Sequence, residues 1–247
     1  MLQREEGLRT KLRRYGREFG IDVRRVGRFF DESKVLAHLL EERDIPLVID
    51  VGANVGQFAS SLFRAGYTGR VLSFEPFVDA RNELVNMSSS NPRWMVGPPV
   101  ALGCKSATGL LHIARNSISS SLLPMECLHV NAAPQSAELG TVPVDVRRLD
   151  DVLTSLGFAD ETFFLKLDTQ GTEKAILEGS SALLHRIAGI KIELSFVPLY
   201  VGQPLFDEVQ GFITARAFEI WDVTPGFRDT QTGRLLQSDF VFFRSRG

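Results

Sequence analysis

Cysteine and histidine are scarce in this sequence of 247 residues, which contains two cysteines and four histidines. Cys104 and Cys127 form no CxxC pair, and the histidines form no HxxxH or HExxH pattern. The usual sequence signatures of a disulfide scaffold and of a zinc site are therefore missing. Two isolated cysteines fit a reducing compartment, and we expect a cytoplasmic protein.

Long apolar runs and a strong net charge are also absent. No stretch approaches the roughly 18 apolar residues that a membrane-spanning helix needs, and the N-terminus lacks the apolar core of a secretion signal. The formal net charge is −2, and no basic, aromatic-interleaved patch follows the N-terminal segment. We therefore expect no transmembrane segment and no nucleic-acid partner.

The N-terminal segment, residues 1–30, is locally basic, with nine Lys or Arg against four Asp or Glu. Its apolar residues recur near helical spacing and are Leu8, Leu12, Tyr15 and Phe19. This pattern predicts a helix that packs on the main domain; contact with a membrane surface or a second copy in a homo-oligomer stays open. A second helix is predicted at 33–43 with Asp31 as its N-cap. We expect a helical extension at 1–44 and one domain at 45–247.

From residue 46 onward, apolar runs alternate with segments of helical period. Strands are predicted at 46–51, 69–76, 98–103, 162–168, 189–195, 217–223 and 238–244, helices at 56–66, 78–91 and 171–187, and a strand running into a helix at 141–157. Residues 104–140 show no sustained period. Alternation of this kind is typical of parallel βαβ units. The predicted fold class is α/β: a doubly wound, mostly parallel, Rossmann-like seven-stranded sheet with an antiparallel edge strand and N-terminal helices.

The first predicted strand runs into Asp-Val-Gly-Ala-Asn-Val-Gly, from Asp50 to Gly56. In parallel sheets, ligands bind beyond the carboxyl ends of the strands, near helix N-termini. No lysine follows as a P-loop requires, and Asn54 and Gln57 stand where a dinucleotide fingerprint needs glycine. The spacing fits the Asp-x-Gly-x-(Gly/Asn)-x-Gly motif of S-adenosylmethionine (SAM) methyltransferases. An acid such as Asp50 suits the ammonium and sulfonium of that ligand.

Glu75 ends the second predicted strand, 25 residues after Asp50. A carboxylate at this position can accept hydrogen bonds from both hydroxyls of a ribose. A strand-end glutamate before a proline is unremarkable on its own. Behind this glycine loop we interpret Glu75 as a ribose ligand.

Seven segments resemble the FkbM-type methyltransferases in their order along the chain: "VIDVGANVGQFA", "VLSFEPF", "VALGCKSATGLLHI", "RNSISSSLLP", "VDVRRLDDVL", "FLKLDTQGTEKAILEGS" and "IKIELSFVPLYVGQ". The resemblance covers roughly residues 45–245. Its most specific piece, "LKLDTQGTE", is similar to the family's Lys-hydrophobic-Asp-x-(Glu/Gln)-Gly-x-Glu segment, with Gln170 where Glu is commoner. The resemblance implies a class I SAM-dependent fold. It also implies O-methylation of a small-molecule or glycan hydroxyl, as in secondary metabolites, glycolipids or surface polysaccharides.

The motif and the resemblance together give an expected set of cofactor-binding residues. The set is Asp50, Gly52, Ala53, Asn54, Gly56, Glu75, Pro76, Leu102, Asp168 and Gln170.

Methyl transfer to a hydroxyl calls for a general base or a metal ion, because a neutral hydroxyl is a poor nucleophile. Asp168, at the end of a predicted strand, is the first candidate, as base, metal ligand or acceptor for the amides of the next helix. Glu193 faces the same crevice. These two acids could hold a divalent ion such as Mg²⁺, or Glu193 could pair with Lys191. His112 and His129, on either side of the serine-rich segment, are further candidate bases.

Two neighbouring features are interpreted with the same site. Lys166 lies two residues before Asp168 on a buried strand, and we expect it to form a structural ion pair. The serine-rich segment 116–121 is expected to form an acceptor-binding lid, with an ordinary solvated loop as the alternative. The leading functional hypothesis is a SAM-dependent O-methyltransferase. The alternative is a SAM-binding module that is non-catalytic or depends on a partner; the missing glycines disfavour an NAD-dependent oxidoreductase.

Overall fold

The computed structural model describes residues 31–245. Its helices are α1 (Glu32–Glu42), α2 (Gln57–Arg64), α3 (Val78–Ser88), α4 (Cys127–Ala132), α5 (Leu149–Ser155), α6 (Glu173–Glu178) and α7 (Phe206–Thr214). Its strands are β1 (Leu47–Val51), β2 (Arg70–Phe74), β3 (Trp94–Val96), β4 (Ala101–Leu102), β5 (Ala107–Ala114), β6 (Glu138–Arg147), β7 (Phe163–Leu167), β8 (Ile187–Ser195), β9 (Phe218–Pro225) and β10 (Gln237–Arg244).

Seven strands form the main sheet in the order β3-β2-β1-β7-β8-β10-β9. Strand β1 pairs in parallel with both β2 and β7, so the loops that follow these three strands meet at one edge of the sheet. Strand β10 is antiparallel to β8 and β9. The predicted fold class is confirmed, with the antiparallel strand lying one position inside the edge because β9 occupies the edge itself.

Both faces of the main sheet are buried, which explains the nearly continuous apolar run of β1. Leu47, Ile49 and Val51 belong to the core cluster on one face, and Val48 belongs to the cluster on the other face, where α1 and α2 pack. Alternate side chains of a strand point to opposite faces. A polar residue within such a strand, such as Asp50, is therefore buried unless it reaches a loop.

The third strand of the main sheet is β3, not the segment 98–103 that the sequence predicts. Pro98 and Pro99 cannot donate hydrogen bonds to a neighbouring strand, so the ladder with β2 ends before them. Residues Ala101–Leu102 instead form β4 of a separate three-stranded sheet, with the order β4-β6-β5. Strand β5 and helix α4 lie within residues 104–140, where the sequence shows no sustained period, and β6 begins at the end of that segment.

The helix predictions have mixed outcomes. Helix α1 is confirmed together with its N-cap, because the Asp31 carboxylate accepts a hydrogen bond from the Lys34 amide at 3.2 Å. Helix α6 ends at Glu178, well before the predicted residue 187, and α7 was not predicted. The predicted basic helix within 1–30 lies outside the described residues. Among residues 31–245, no helix is both long and apolar enough to cross a bilayer.

Candidate functional site

The loop after β1 depends on left-handed backbone conformations. Gly52, Asn54 and Gly56 have φ angles of +72°, +48° and +93°, a region that glycine adopts freely and asparagine tolerates. A Cβ atom at Gly52 would overlap the carbonyl oxygen of Asp168. The loops after β1 and β7 are therefore in direct contact at Gly52, and only glycine permits that contact.

Glu75 is fixed at the end of β2 by two backbone amides. Its Oε2 accepts a hydrogen bond from Asn54 N at 2.8 Å, and its Oε1 accepts one from Phe77 N at 2.9 Å. Burial raises the pKa of this carboxyl, although the two amides act in the opposite direction. Each carboxylate oxygen can accept a further bond, so Glu75 offers two oxygens to a ligand in the adjoining cleft.

A cleft of about 560 Å³, here called the first cleft, opens beside Glu75. Gly52, Asn54, Pro76, Leu102 and Asp168 of the expected set also line it. The remaining walls are mainly apolar or serine side chains and include Phe74, Val100, Leu111, Ser117, Ile118, Ser120, Ser121 and Leu122. Apolar walls beside one carboxylate fit a nucleoside.

Four residues of the expected set lie elsewhere. Asp50 is completely buried beneath the loop, where its Oδ1 lies 3.1 Å from Lys166 Nζ and its Oδ2 accepts from Ser73 Oγ. Ala53 lines a neighbouring cleft, Gly56 packs on the Trp94 ring, and the Gln170 side chain binds carboxylates beside the cleft. Asp50 therefore supports the loop from below rather than facing a ligand.

Lys166 forms the structural ion pair that the sequence predicts. Its ammonium lies 3.1 Å from Asp50 Oδ1 and 3.8 Å from Asp168 Oδ2, and it donates to the carbonyl oxygen of Gly52 at 3.0 Å. The acids raise its pKa against the lowering effect of burial. The lysine thus stays charged and joins the buried strand to both loops.

A second cleft, of about 790 Å³, lies on the other side of the same loops. Its residues include Ala53, Gln57, Phe58, Lys166, Leu167, Lys191 and Asp239. The two clefts share Gly52, Asn54, Ile118 and Asp168 as lining residues. The Asp168 side chain, 43% exposed, is the carboxylate that both clefts reach.

Asp168 and Glu193 are joined by one amide. Gln170 Nε2 donates to Asp168 Oδ1 at 2.7 Å and to Glu193 Oε2 at 2.9 Å. Gln237 Nε2 donates to the same Glu193 oxygen at 3.0 Å. The two candidate acids are thus brought together as the sequence predicts, with an amide between them.

The metal and ion-pair alternatives for these acids are not supported. Within residues 31–245, no group of three or more His, Cys, Asp or Glu side chains is arranged to hold a metal ion, and N–H donors occupy the space between Asp168 and Glu193. Lys191 binds Asp239 at 2.6 Å instead of Glu193. Burial, followed by the charges of Asp168 and Asp239, raises the pKa of Glu193 well above its ordinary value.

Helix α6 has no side-chain hydrogen bond at its N-cap residue Thr172, so Asp168 does not take the capping role; the loop before the helix is bound by Glu173 instead. Its carboxylate accepts from Thr169 N at 2.9 Å and from Gly171 N at 3.0 Å, and it thereby closes the loop between β7 and α6. Burial raises the pKa of this carboxyl against the effect of those amides. Asp168 is left to accept from Gln170 and to face the clefts.

Neither candidate histidine lines a cleft. His112 Nδ1 lies 3.0 Å from Glu138 Oε2, while its neighbour Leu111 points to the opposite face of β5 and into the first cleft. His129 is buried against the rings of Tyr200 and Phe227, with ring centroids 5.2 and 5.3 Å away. Burial lowers the pKa of His129 to about 4. The contacts of both histidines indicate structural roles.

The serine-rich segment contacts the site through three hydrogen bonds. Asn54 Nδ2 donates to Ser117 Oγ at 3.0 Å, Ser121 Oγ donates to Gln170 O at 2.7 Å, and the Tyr200 hydroxyl lies 3.0 Å from Ser119 O. Sequence reasoning missed Tyr200, whose single hydroxyl hydrogen is shared between Ser119 O and Gln170 Oε1, the latter at 2.9 Å. In the sequence, Tyr200 is marked only by its place in "IKIELSFVPLYVGQ", one of the segments that resemble the family.

Comparison with protein families gives a match to the methyltransferase FkbM domain over residues 50–220. A curated relative, the 2-O-methyltransferase NoeI of Sinorhizobium fredii (strain NBRC 101917 / NGR234), is 25% identical over 213 residues, which are 81% of this chain and 83% of NoeI. The matched family segment contains both strand-end loops and every residue of the first cleft; Asp239 of the second cleft lies outside it.

Solved structures of similar overall shape include an rRNA methylase from Streptococcus thermophilus and TehB from Haemophilus influenzae. The first has a TM-score of 0.47 and 13% identity, covering 91% of this chain and 100% of the methylase. The second has a TM-score of 0.45 and 7% identity, covering 85% of this chain and 62% of TehB.

Proposed function

Because the chain belongs to the FkbM methyltransferase family, we propose that it transfers a methyl group from SAM to a hydroxyl of a small-molecule or glycan acceptor. One observation carries the proposal: two clefts meet at a single partly exposed carboxylate, Asp168. The first cleft would hold SAM and the second cleft would hold the acceptor.

The residues around the first cleft fit SAM in their chemistry. Glu75 presents two fixed carboxylate oxygens, which match the two hydroxyls of a ribose. Leu102 and Leu111 supply apolar surface for a base, and Asp168 supplies a negative charge for a sulfonium. When bound, SAM supplies a methyl group on a positively charged sulfur, and that sulfur leaves as a neutral thioether.

The protein's own contribution is to position the acceptor and accept its proton. Holding the acceptor oxygen about 3 Å from the methyl carbon removes much of the entropic barrier. As the new O–C bond forms and the S–C bond breaks, the electron pair of the S–C bond stays on sulfur. The hydroxyl proton passes to the Asp168 carboxylate, which is reached from the second cleft.

A polar, uncharged acceptor is supported by the balance of charges in the second cleft. Lys166 and Asp168 approach each other at 3.8 Å, and Lys191 and Asp239 at 2.6 Å, so two cations face two anions. Such a surface offers hydrogen bonds to an acceptor and carries no net charge. The O-methyltransferase name of the relative NoeI and the family resemblance also support a hydroxyl acceptor.

The proposal is tested first by calorimetry with S-adenosylhomocysteine (SAH). Wild type should bind SAH, and Glu75→Ala should weaken binding at least about ten-fold, because a charge-assisted hydrogen bond contributes ~1.5–3 kcal/mol. Glu75→Gln, which keeps size and one acceptor oxygen, should have an intermediate effect, and NAD should not bind.

Methyl transfer is then measured with labelled SAM and a panel of hydroxylated acceptors. Methyl transfer by wild type that is lost in Asp168→Asn would support the catalytic role of Asp168. If SAH binds and Glu75→Ala weakens it, yet no acceptor is methylated, a SAM-binding module without its own activity becomes the better description. A folded protein that binds neither SAM nor SAH would refute the proposal.

A further inference from the structure

Gln170 has an unusual backbone conformation for its residue type. Its φ angle is +58° and its residue is only 9% exposed. Side chains other than glycine, asparagine and aspartate seldom adopt this region, and such strain is often associated with functional sites. The conformation is maintained by contacts on both sides of the residue, including the 2.7 Å bond from Ser121 Oγ to Gln170 O.

The side-chain amide of Gln170 has one orientation that satisfies its neighbours. The Tyr200 hydroxyl, whose hydrogen is shared with Ser119 O, lies 2.9 Å from Gln170 Oε1. The NH₂ group of Gln170 faces Asp168 and Glu193. A carboxyl oxygen can accept a hydrogen bond whether the group is ionised or, through its C=O, neutral. The two N–H donors of Gln170 therefore match the two acids.

Tyr200 is itself held from several sides. Its ring packs edge-on against His129 with centroids 5.2 Å apart, and its backbone amide donates to Gln203 Oε1 at 2.6 Å. The residue is fully buried. The hydroxyl that orients Gln170 is thus part of a rigid cluster.

Asp168 depends on Gln170 for its orientation. The Asp168 side chain is 43% exposed, and Lys166 approaches its Oδ2 only to 3.8 Å, whereas Gln170 binds its Oδ1 at 2.7 Å. Glu193 anchors the other side of the amide and is itself bound by Gln237. The shortest contact to Asp168 is therefore the one from Gln170.

We propose that Gln170 is a positioning residue, which acts with Tyr200 and Glu193 to fix the Asp168 carboxylate at the wall shared by the two clefts. This inference rests on the proposed function, because Asp168 matters there as the acid next to the methyl donor. It assigns Gln170 no contact with the reacting atoms.

The test compares SAM with SAH, which differ by the sulfonium charge. Affinities of both are measured by calorimetry for wild type, Asp168→Asn, Gln170→Ala and Tyr200→Phe. Loss of the acid in Asp168→Asn should lower the ratio of SAM to SAH affinity about five-fold, as expected for one charge pair in a partly solvated site. Gln170→Ala should lower the same ratio at least two-fold with little change in SAH affinity, and Tyr200→Phe should shift it in the same direction.

Gln231→Ala, on an exposed turn, is the matched control for loss of a glutamine side chain and should leave the ratio unchanged. A ratio unchanged in both Gln170→Ala and Tyr200→Phe overturns the inference, as does an equal loss of SAM and SAH affinity in Gln170→Ala, which would indicate a merely structural role. Tyr200→Phe keeps the test decisive if Gln170→Ala does not fold.

The failure of this inference differs from failure of the proposed function. If wild type binds SAH and Glu75→Ala weakens it, the donor site stands whatever Gln170 does. If wild type binds neither ligand, both proposals are refuted.

Discussion

The two sides of the candidate site are built in different ways. The donor side, formed by the loop after β1 and by Glu75, joins residues of adjacent strands; Asn54 and Glu75 are 21 positions apart. The other side, formed by the contacts around Gln170 and here called the Gln170 side, joins distant segments: Tyr200 and Ser119 are 81 positions apart, and Ser121 and Gln170 are 49 apart. A local pattern can encode the first arrangement, whereas the second exists only once the whole chain is folded.

The largest effect on stability is expected from the ion pair between Lys166 and Asp50, beneath the loop after β1. Lys166→Met removes the cation that neutralises Asp50, which is completely buried. An uncompensated buried charge typically costs about 3–5 kcal/mol, and we expect a loss of that size in the free energy of unfolding, measured with urea.

The double variant Lys166→Met with Asp50→Asn is the control, because it removes both charges. It should recover part of the lost stability. Equal stability of the single variant and wild type would show that the donor side does not depend on its buried ion pair.

The next prediction compares alanine substitutions at two glycines with nearly equal φ angles. Gly52 and Gly202 have φ angles of +72° and +73°, but a Cβ atom overlaps Asp168 O at Gly52 and meets nothing within 4 Å at Gly202. Gly202→Ala should cost only the strain of the left-handed conformation, about 1 kcal/mol. Gly52→Ala should cost about 3 kcal/mol in urea unfolding and abolish SAH binding. Similar losses at the two positions would contradict the close contact between the loops.

A smaller effect tests the Gln170 side through the pH dependence of stability. His129 is buried beside Tyr200 and has its pKa lowered to about 4 from an ordinary 6.5. Between these values the unfolded chain binds a proton that the folded chain excludes, so stability falls as the pH falls. From pH 6.5 to 5 this contribution amounts to about 2 kcal/mol.

His129→Phe keeps an aromatic ring against Tyr200 and Phe227 and should reduce that loss, as measured by urea unfolding at each pH. His185→Gln, at an exposed position, is the control and should retain the wild-type loss. If His129→Phe and wild type lose the same stability over this range, the histidine does not make the Gln170 side acid-sensitive.

The sequence predicts the donor side well because its signals are short-range. Left-handed turns select glycine and asparagine, and the spacing of Glu75 follows from one βαβ unit. It also predicts that Asp168 and Glu193 meet, since both end neighbouring parallel strands. The position of Asp50 was misjudged because alternation along a strand buried on both faces places it beneath the loop.

The Gln170 side and some element ends could not be predicted in this way. The orientation of Gln170 depends on Tyr200, whose position is set by packing far along the chain. Helix α6 is followed by a turn whose amides, at Ala182 and Leu183, bind the Asp150 carboxylate. A partner 33 positions away, such as Asp150 for Leu183, leaves no mark in local periodicity.

Ile118 lines both clefts, and more than half of its surface, 56%, is exposed. A ligand in either cleft therefore covers part of the same side chain and changes the wall that the other ligand meets. Under the proposed function, this makes donor and acceptor affinities thermodynamically linked. Such a coupling free energy is reciprocal: whatever factor the bound donor applies to acceptor affinity, the bound acceptor applies to donor affinity.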